Sequence, residues 1–336
     1  MKLSICMIVK NQAEILEKTL PSLVAGAEEV IVLDTGSTDA AVKTAERLGA
    51  KVFFFPWPND FSLARNESIK LATGDWILWV DADELIEVET LQKLKLVLAQ
   101  DKADAYNLLI CESHPYDKEE SECYFRTKVF RNHKGIHFER PFNEQVCAKD
   151  GKVLPAENLS DIKIYHFGKY LAEAKMKAKK ERNIQLLEQA LKKKDQDPYY
   201  HLLLANNYYE IDLLEKSLAH YQKAADLFDE PQKKAYALYK TARVEFDLKH
   251  FKEAYLIGRQ ALKLDNKLPE TYNLLALIIA QGGKYDEALQ LLNIAENLPE
   301  VEHAFGVNRL YKTYYPNYYK GLIQKLREQE EKSHVS

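Results

Sequence analysis

The chain has 336 residues, a formal net charge of −4 and four cysteines. This length predicts two domains, each large enough to bury its own core. Residues 1–168 contain 20 Lys and Arg against 27 Asp and Glu, whereas residues 169–336 contain 27 against 24, so the halves carry −7 and +3. An acidic first half argues against a nucleic-acid partner, which requires a basic face.

The cysteines indicate a reducing compartment. Cys6, Cys111, Cys123 and Cys147 form no C-x-x-C pair, and Cys6 lies in an apolar run, where a free thiol is a small buried hydrophobe. The N-terminus leads directly into LSICMIV, which is too short to span a membrane and lacks the parts of a secretory signal. We therefore expect four free thiols, a cytoplasmic location and no transmembrane segment.

The first half alternates apolar runs with helical patterns. KLSICMIV (2–9), EVIVLD (29–34) and KVFFF (51–55) are typical of buried strands, and helix-like segments separate them. This alternation indicates β-α-β units, a mostly parallel sheet and hence an α/β fold. In such open sheets, ligands bind outside the carboxyl ends of the strands. Asp34 and Asp81 fall at such ends.

From about residue 170 the pattern is helical only, and it repeats. Three successive segments superimpose small residues at three positions, with offsets of 37 and then 34 residues. These residues are Ala205, Ala242 and Ala276; Ser217, Ala254 and Ala288; and Ala224, Ala261 and Ala295. Small residues are needed where packed helices approach closely, and the period resembles the tetratricopeptide repeat of about 34 residues. The predicted organisation is an α/β domain at 1–168, a connecting helix at 169–196, repeats with a capping helix at 197–325, and a frayed tail at 326–336.

The stretch GDWILWVDADELI (74–86) places Asp81, Asp83 and Glu84 directly after an apolar run. Carboxylates at the end of a buried strand are costly to desolvate and repel one another. Side chains two apart in an extended segment lie on one face, so Asp81 and Asp83 can reach one hard cation, Mg²⁺ or Mn²⁺. Such an ion would offset the cost and stabilise charge on a departing nucleoside diphosphate. A solvated loop is the alternative interpretation of a bare D-x-D.

The segment VLDTGSTD offers a second ligand contact. Its small residues let the backbone approach a ligand, and the carboxylate of Asp34 can accept a hydrogen bond from a base or ribose. One of residues 37–39 can also cap the following helix, and both roles are compatible. Arg65 and Asn66 lie on a helical segment directed at the same sheet edge.

Four segments, SICMIVKNQAEILEKTL, VIVLDTGSTD, DFSLARN and GDWILWVDADE, closely resemble the family 2 glycosyltransferases of the GT-A fold. The nearest subgroup carries C-terminal tetratricopeptide repeats, so the resemblance covers nearly the whole chain, and the first 90 residues are the most specific part. It implies a Rossmann-like GT-A catalytic domain with a mostly parallel sheet, followed by an all-α tetratricopeptide-repeat domain.

The resemblance also implies ligand contacts for individual residues. The nucleotide would lie along the first loop, Ile8, Val9, Lys10 and Asn11. Asp34 would hold the base, with Arg65 and its neighbour Asn66 beside it. Asp81 and Asp83 would bind the metal and the sugar diphosphate. One departure is Gln12, which stands where an acid is usual and weakens any role of that residue in base recognition.

Two later residues complete the predicted site. Members of this subgroup often carry Val-His-Glu after a strand that contains Phe-Arg. Here Asn143 and Glu144 stand at the last two positions of that motif, with Asn in place of His. Glu144 is predicted to be the general base, because an inverting transfer needs a carboxylate opposite the leaving group. A salt-bridge or supporting acid is the alternative, with Glu139 and Glu112 as other candidate bases. His166 matches a recurring His and is predicted to be a third metal ligand or a phosphate contact; the alternative is a core histidine.

These features predict an inverting, metal-dependent glycosyltransferase of the hexosyltransferase type. Its donor would be a nucleotide-sugar, expected to be a UDP-sugar, and its acceptor a glycan or a peptide or protein held partly by the repeats. The alternative is a non-catalytic scaffold whose repeats dock a protein partner, but the intact Asp34, Arg65, Asp81 and Asp83 favour the enzyme. A nucleotidyltransferase would need a Gly-rich phosphate loop, which MIVKNQAEI lacks. The repeats also allow a homodimer.

Overall fold

The computed structural model describes residues 1–113, 120–168, 173–299 and 310–333. The chain divides into two compact units, Met1–Met176 and Lys177–Ser336. We refer to them as the sheet unit and the helical unit. Within the described ranges, no helix combines the length and the apolar character needed to cross a membrane.

The sheet unit begins with alternating strands and helices and continues mainly as strands. Its strands are β1 (Leu3–Val9), β2 (Glu29–Asp34), β3 (Lys51–Phe54), β4 (Trp76–Trp79), β5 (Glu84–Leu85), β6 (Ala105–Ser113), β7 (Glu120–Arg131), β8 (His137–Glu139), β9 (Gln145–Cys147) and β10 (Glu157–His166). Its helices are α1 (Ala13–Gly26), α2 (Ala41–Arg47), α3 (Phe61–Lys70) and α4 (Val88–Leu98). The strands predicted at 2–9, 29–34 and 51–55 are confirmed to within one residue.

One large sheet has the strand order β3-β2-β1-β4-β7-β6-β10-β5, and β8 pairs with β9 in a small hairpin. The pairs β1–β2, β1–β4, β2–β3 and β6–β10 are parallel, while β7 and β5 run antiparallel to their neighbours. The predicted GT-A class of fold, with a mostly parallel sheet, is therefore confirmed. Because β2, β1 and β4 are parallel neighbours, the residues that follow these three strands meet at one edge of the sheet.

Both faces of this sheet are buried. Ile5 and Met7 of β1 pack in a cluster with Leu20 of α1, whereas Cys6 packs on the opposite face with Trp79 and others. Alternate residues of a strand point to opposite faces, so a fully buried strand has no polar alternation. This explains why β1 and β2 read as continuous apolar runs.

The expectation of four free thiols is wrong. Cys111 of β6 and Cys123 of β7 are direct partners in the antiparallel pairing and form a disulfide. Strand pairing brings the two together across 12 residues of sequence, which cysteine spacing alone does not reveal. Cys6 and Cys147 are free and buried, and burial raises the pKa of the Cys6 thiol to about 12. The disulfide removes the basis on which a reducing compartment was inferred.

The second half of the chain is helical. Its helices are α5 (Glu173–Lys193), α6 (Pro198–Glu210), α7 (Leu214–Leu227), α8 (Pro231–Asp247), α9 (Phe251–Leu264), α10 (Pro269–Gln281), α11 (Tyr285–Asn297), α12 (Leu310–Thr313) and α13 (Tyr315–Ser333). Between α6 and α11, consecutive helices pair as hairpins, and all nine small residues aligned from the sequence are 0% exposed. Gly258 stands where the other copies have bulkier residues; a Cβ there would lie 2.9 Å from Cδ2 of Leu275, whose side chain fills the space.

The division between the two units falls inside a helix. The two units divide between Met176 and Lys177, inside α5, which occupies most of the segment predicted to connect them; residues 169–172 lie outside the described residues. Helix α13 packs on the last hairpin through Ile323, which is 0% exposed. It continues to Ser333, through most of the segment predicted to fray, and residues 334–336 lie outside the described residues.

Candidate active site

The loops that follow β1 and β2 are fastened to each other. Asn11 has φ 56°, a left-handed conformation that Asn adopts more readily than most residues. Its Oδ1 accepts hydrogen bonds from the N–H groups of Thr38 (2.7 Å) and Asp39 (3.3 Å), and its own N–H donates to Oγ of Ser37 (2.9 Å). The first loop, residues 8–11, is therefore held against the second.

Asp34 ends β2 and is 4% exposed. Its carboxylate accepts hydrogen bonds from the N–H groups two and three residues further on, at 3.1 to 3.2 Å. Gly36 has φ 106°, which glycine adopts without steric cost. Asp39 accepts from the N–H groups of Ala13 (3.0 Å) and Ala41 (2.9 Å), at the starts of α1 and α2. The N-cap residue of α2 is Ala40, not one of residues 37–39 as predicted. Asp39 nevertheless accepts from the first N–H of α2, next to a buried carboxylate at the sheet edge.

Helix α3 carries Arg65 and Asn66 and is capped by the side chain of Asp60. The Arg65 guanidinium lies over the ring of Trp79, 4.5 Å from its centroid. Asn66 exchanges two hydrogen bonds, of 2.8 and 2.7 Å, with the main chain of Phe138 in β8. Arg65 therefore reaches the sheet edge, whereas the amide of Asn66 holds the β8–β9 hairpin against α3.

Two buried cations bind Asp81. Its Oδ1 lies 3.2 Å from Nη2 of Arg65, and its Oδ2 lies 3.2 Å from Nζ of Lys128. The Lys128 side chain is 1% exposed and also lies 2.7 Å from a carboxylate oxygen of Glu84. Burial alone would raise the pKa of Asp81, but Lys128 and Arg65 outweigh it and hold that pKa far below its usual range. Burial raises the pKa of Glu84, with Lys128 opposing the shift. A lysine from β7 thus relieves the repulsion between the two acids.

Glu144 belongs to the same cluster and is buried. Its Oε2 lies 3.2 Å from Nη2 of Arg65 and 3.7 Å from Nη2 of Arg126. Burial would lower the pKa of Arg126, but Glu144 and Asp81 raise it. A cavity of about 160 Å³ is lined by Glu144, by these arginines and by Trp79. The cluster therefore borders a space in which a ligand group could be enclosed.

His166, the last residue of β10, lies between two carboxylates. Its Nδ1 is 2.8 Å from Oε1 of Glu112, and its Nε2 is 3.4 Å from Oδ2 of Asp83. The parallel pairing of β6 and β10 sets His166 beside Glu112, while the N–H of Phe167 donates to the carbonyl oxygen of Asp83 (2.9 Å). Burial lowers the pKa of His166, but the hydrogen bonds to Asp83 and Glu112 outweigh it and raise the pKa to about 10.

Two cations of this site were not predicted from the sequence: Lys128, whose side chain is 1% exposed, and Arg126, whose side chain is 35% exposed. They alternate on β7, so both project from the same face of the strand. The signal was present in YFRTKVFR, because cations within an otherwise apolar strand must meet acids when buried. The contact of Glu112 with His166 had no comparable signal, since 54 residues separate them.

A divalent cation, implied by the family resemblance, fits part of this site. Asp83 and His166 present an oxygen and a nitrogen to the same space, and a Cβ on Gly168 would lie 3.0 and 2.6 Å from those two atoms. Asp81 fits less well, because arginine and lysine already engage both of its oxygens. No group of three or more His, Cys, Asp or Glu residues in the described ranges is arranged to hold an ion. Mg²⁺ commonly takes only one or two protein carboxylates and completes its shell with water and substrate phosphates.

The chain is similar in sequence to known glycosyltransferases. Residues 4–162 match the family model described as Glycosyl transferase family 2. A TPR repeat-containing protein of Synechococcus elongatus is 41% identical over 149 residues, which cover 43% of this chain and 35% of that protein. The SPbeta prophage-derived glycosyltransferase SunS of Bacillus subtilis is 31% identical over 231 residues, 66% of this chain and 54% of that protein. The chain thus spans about a third to a half of the length of these curated relatives.

Among solved structures, S. aureus TarS 1-349 in complex with UDP-GlcNAc aligns with a TM-score of 0.41 and 18% identity, covering 86% of this chain and 89% of that one. The family match coincides with the sheet unit, which holds every residue of the predicted site. Residues 4–162 are a glycosyl transferase family 2 domain, as the sequence motifs predict.

Proposed function

We propose that this chain is an inverting glycosyltransferase that takes a sugar from a nucleotide-sugar donor. One observation carries the proposal: the first loop, Asp34, Arg65, the Asp81–Asp83 segment and His166 come from separate segments and converge on the carboxyl edge of one sheet. Open α/β sheets bind their ligands at this edge. The ion pairs at this edge cost desolvation free energy and are weak evidence of added stability, which favours a functional reason for them.

The nucleoside would lie along the loop of residues 8–11 and against Asp34. The contacts of Asn11 with residues 37–39 fix the shape of this loop before any ligand binds. A preformed loop loses little conformational entropy on binding, which favours affinity. A carboxylate at Asp34 suits the N–H of a base or the hydroxyls of a ribose, and uracil is the base that the family resemblance implies.

The diphosphate would lie near Asp83, His166 and the cations of the cluster. Asp83 and His166 are the residues that would hold Mg²⁺ or Mn²⁺. When bound, such an ion neutralises charge on a departing diphosphate. Arg65 and Lys128 place two further positive charges beside Asp81, in an environment with little access for water. Charges fixed in such surroundings stabilise a developing anion more strongly than they would in solvent.

Glu144 is our choice for the residue that accepts the proton of the attacking acceptor group. Its carboxylate is buried at the edge of the 160 Å³ cavity and is oriented by Arg65 and Arg126. A positioned carboxylate of this kind would accept the proton while the acceptor oxygen attacks the anomeric carbon opposite the leaving group. The acceptor would be a glycan or a peptide or protein, bound in part by the helical unit.

Donor binding and turnover test the proposal. Thermal shift against UDP-, GDP- and CMP-sugars with Mn²⁺ should identify one donor class, because a ligand that binds only the folded state raises the melting temperature. Slow release of nucleoside diphosphate from that donor should fall roughly 10²- to 10³-fold in Asp83→Asn. Asp75→Asn is the matched control, since Asp75 lies at the opposite end of β4 and its side chain is 58% exposed. A wild-type rate in Asp83→Asn would contradict the assignment.

The same experiment separates an enzyme from a scaffold. If no nucleotide-sugar stabilises the protein and none is hydrolysed, the transferase proposal fails and the scaffold alternative takes its place. If the donor binds but both aspartate variants behave like wild type, the donor site lies elsewhere on the chain.

A further inference from the structure

Glu112 is a buried acid on β6 that contacts His166. It is 5% exposed, and its Oε1 is 2.8 Å from Nδ1 of His166 and 3.2 Å from the hydroxyl of Tyr124 on β7. Glu112 directly follows Cys111, and Tyr124 directly follows Cys123, so the disulfide ties together the two strands that carry these side chains. The position of Glu112 is therefore fixed by strand pairing, by a covalent cross-link and by two hydrogen bonds.

A carboxylate in this position fixes the orientation of the His166 ring. An ionised carboxylate can only accept hydrogen bonds, so Nδ1 must be the donor. Nε2 then faces Asp83, from which it is 3.4 Å away. A histidine held in this way by an acid on its far nitrogen has a fixed ring orientation and a more basic near nitrogen.

Gly168 governs the space in front of that nitrogen. A Cβ at this position would lie 2.6 Å from Nε2 of His166 and 3.0 Å from Oδ2 of Asp83. The first distance is shorter than real Cβ contacts, so any side chain here would displace the imidazole or fill the space between the two donor atoms. Glycine at residue 168 thus allows the two atoms to lie 3.4 Å apart with no side chain between them.

We propose that Glu112 and Gly168 are positioning residues that make Asp83 and His166 a site for one divalent cation, Glu112 by orienting His166 and Gly168 by leaving the site open. The inference rests on the proposed donor site, but it concerns how this chain prepares two ligands for an ion. It gives a structural role to the paired strands β6 and β7, which the family motifs of the first 90 residues do not include.

Binding of Mn²⁺ alone, and of Mn²⁺ with UDP, tests the proposal without any turnover. The electron paramagnetic resonance signal of free Mn²⁺ should fall as wild-type protein binds one ion. Glu112→Gln should weaken this binding roughly 10-fold and Glu112→Ala roughly 100-fold, the usual range for removing the acid behind a ligating histidine. Gly168→Ala should weaken it at least as much as Glu112→Gln.

Two positions elsewhere in the chain provide matched controls. Glu245 lies 2.8 Å from Nδ1 of His250 in the helical unit, which matches the contact between Glu112 and His166. Because this pair lies outside the proposed site, Glu245→Gln and Glu245→Ala should leave Mn²⁺ affinity unchanged. A Cβ on Gly321 would meet nothing within 4 Å, so Gly321→Ala should also have no effect. Melting temperatures of all variants show whether each remains folded.

A second readout reports on the imidazole itself. In histidine-labelled protein with Mg²⁺, ¹H–¹⁵N spectra should show His166 protonated on Nδ1 in wild type, and this signature should be lost in Glu112→Ala while His250 is unaffected. The proposal is overturned if folded Glu112→Ala and Gly168→Ala bind Mn²⁺ as tightly as wild type, or if wild type binds none with or without UDP. Donor hydrolysis in excess EDTA separates the two levels. Turnover by a wild-type protein that binds no Mn²⁺ removes this inference and leaves the transferase, whereas Glu112-dependent Mn²⁺ binding without turnover does the reverse.

Discussion

Some ion pairs of the sheet unit are far more buried than the lysine pairs of the helical unit. In the sheet unit, the side chains of the pairs Lys128–Glu84 and Arg65–Glu144 are 1% to 7% exposed. In the helical unit, the pair Lys320–Glu296 is 23% exposed on both sides, and Lys284–Glu287 is more than half exposed. Buried pairs cost desolvation and often add no stability, whereas surface pairs cost little and contribute little. This contrast supports the proposal that the buried charges of the sheet unit serve ligand binding rather than folding.

The hydrophobic cores differ as well. The sheet unit is filled by large side chains such as Trp76, Trp79 and Leu78, whereas the contacts between repeat helices are made at alanines that are 0% exposed. Large residues fill the thick space between a sheet and its helices, while alanine allows two helices to approach closely. Large-to-small substitutions are therefore expected to destabilise the sheet unit, and small-to-large substitutions the helical unit.

The largest expected effect is on catalysis. Glu144→Gln keeps the shape of the side chain but cannot accept a proton, so turnover with a hydroxyl acceptor should fall roughly 10²- to 10⁴-fold with donor affinity nearly unchanged. Steady-state kinetics measure both. Glu139→Gln is the control: this acid lies nearby on β8, but its side chain is 45% exposed. A loss below about tenfold in Glu144→Gln, or a larger loss in Glu139→Gln, would assign the proton acceptor to another acid.

The contrast in ion pairs predicts a large difference in stability. Lys128→Met leaves the buried carboxylate of Glu84 without its lysine and Asp81 with Arg65 alone, and should lower the free energy of unfolding of the sheet unit by about 3–5 kcal/mol. Lys320→Met removes a partly exposed partner of Glu296 and should cost less than about 1 kcal/mol. Denaturant titration measures the two values. Equal costs would mean that burial does not distinguish the two kinds of pair.

Exchanging residue size tests the contrast between cores. Leu78→Ala should destabilise the sheet unit by about 2–5 kcal/mol, because it leaves a cavity. Ala242→Leu should destabilise the helical unit by about 1–3 kcal/mol, because the added atoms force helices apart. Differential scanning calorimetry should assign each loss to the unit that carries the substitution. A tolerated leucine at 242 would show that the repeats are packed loosely.

The same contrast explains what could be predicted from the sequence. The repeats follow from local periodicity, since each alanine is buried by helices adjacent in the chain. The order of β1, β2 and β4 likewise follows from alternating patterns and the right-handed β-α-β rule. The motif residues Asp34 and Asp81 were placed correctly at the sheet edge because they end strands in this early, regular part.

The remainder of the site depends on pairing that no local pattern encodes. Lys128 reaches Asp81 across 47 residues because β7 inserts antiparallel beside β4, and Glu112 reaches His166 because β10 pairs with β6. The disulfide was missed for the same reason. Asn66 sits beside Arg65 in sequence, yet its amide faces the main chain of Phe138, because successive helical residues point in different directions.

The smallest expected effect compares two aspartates with the same local structure. Asp34 and Asp197 each accept hydrogen bonds from the N–H groups two and three residues further on, one at the sheet edge and one at the start of α6. Asparagine serves almost as well as aspartate in such a turn, so Asp34→Asn and Asp197→Asn should each change the free energy of unfolding by less than about 0.5 kcal/mol. Only Asp34→Asn removes a charge that we assign to the donor, and a hydrogen bond to a charged group contributes about 1.5 kcal/mol, or about tenfold in affinity. Because that contact is the same in the ground and transition states, KM for the donor should rise about tenfold while kcat changes little. An unchanged KM in a folded Asp34→Asn variant would remove Asp34 from the donor site and leave it, like Asp197, as a turn residue alone.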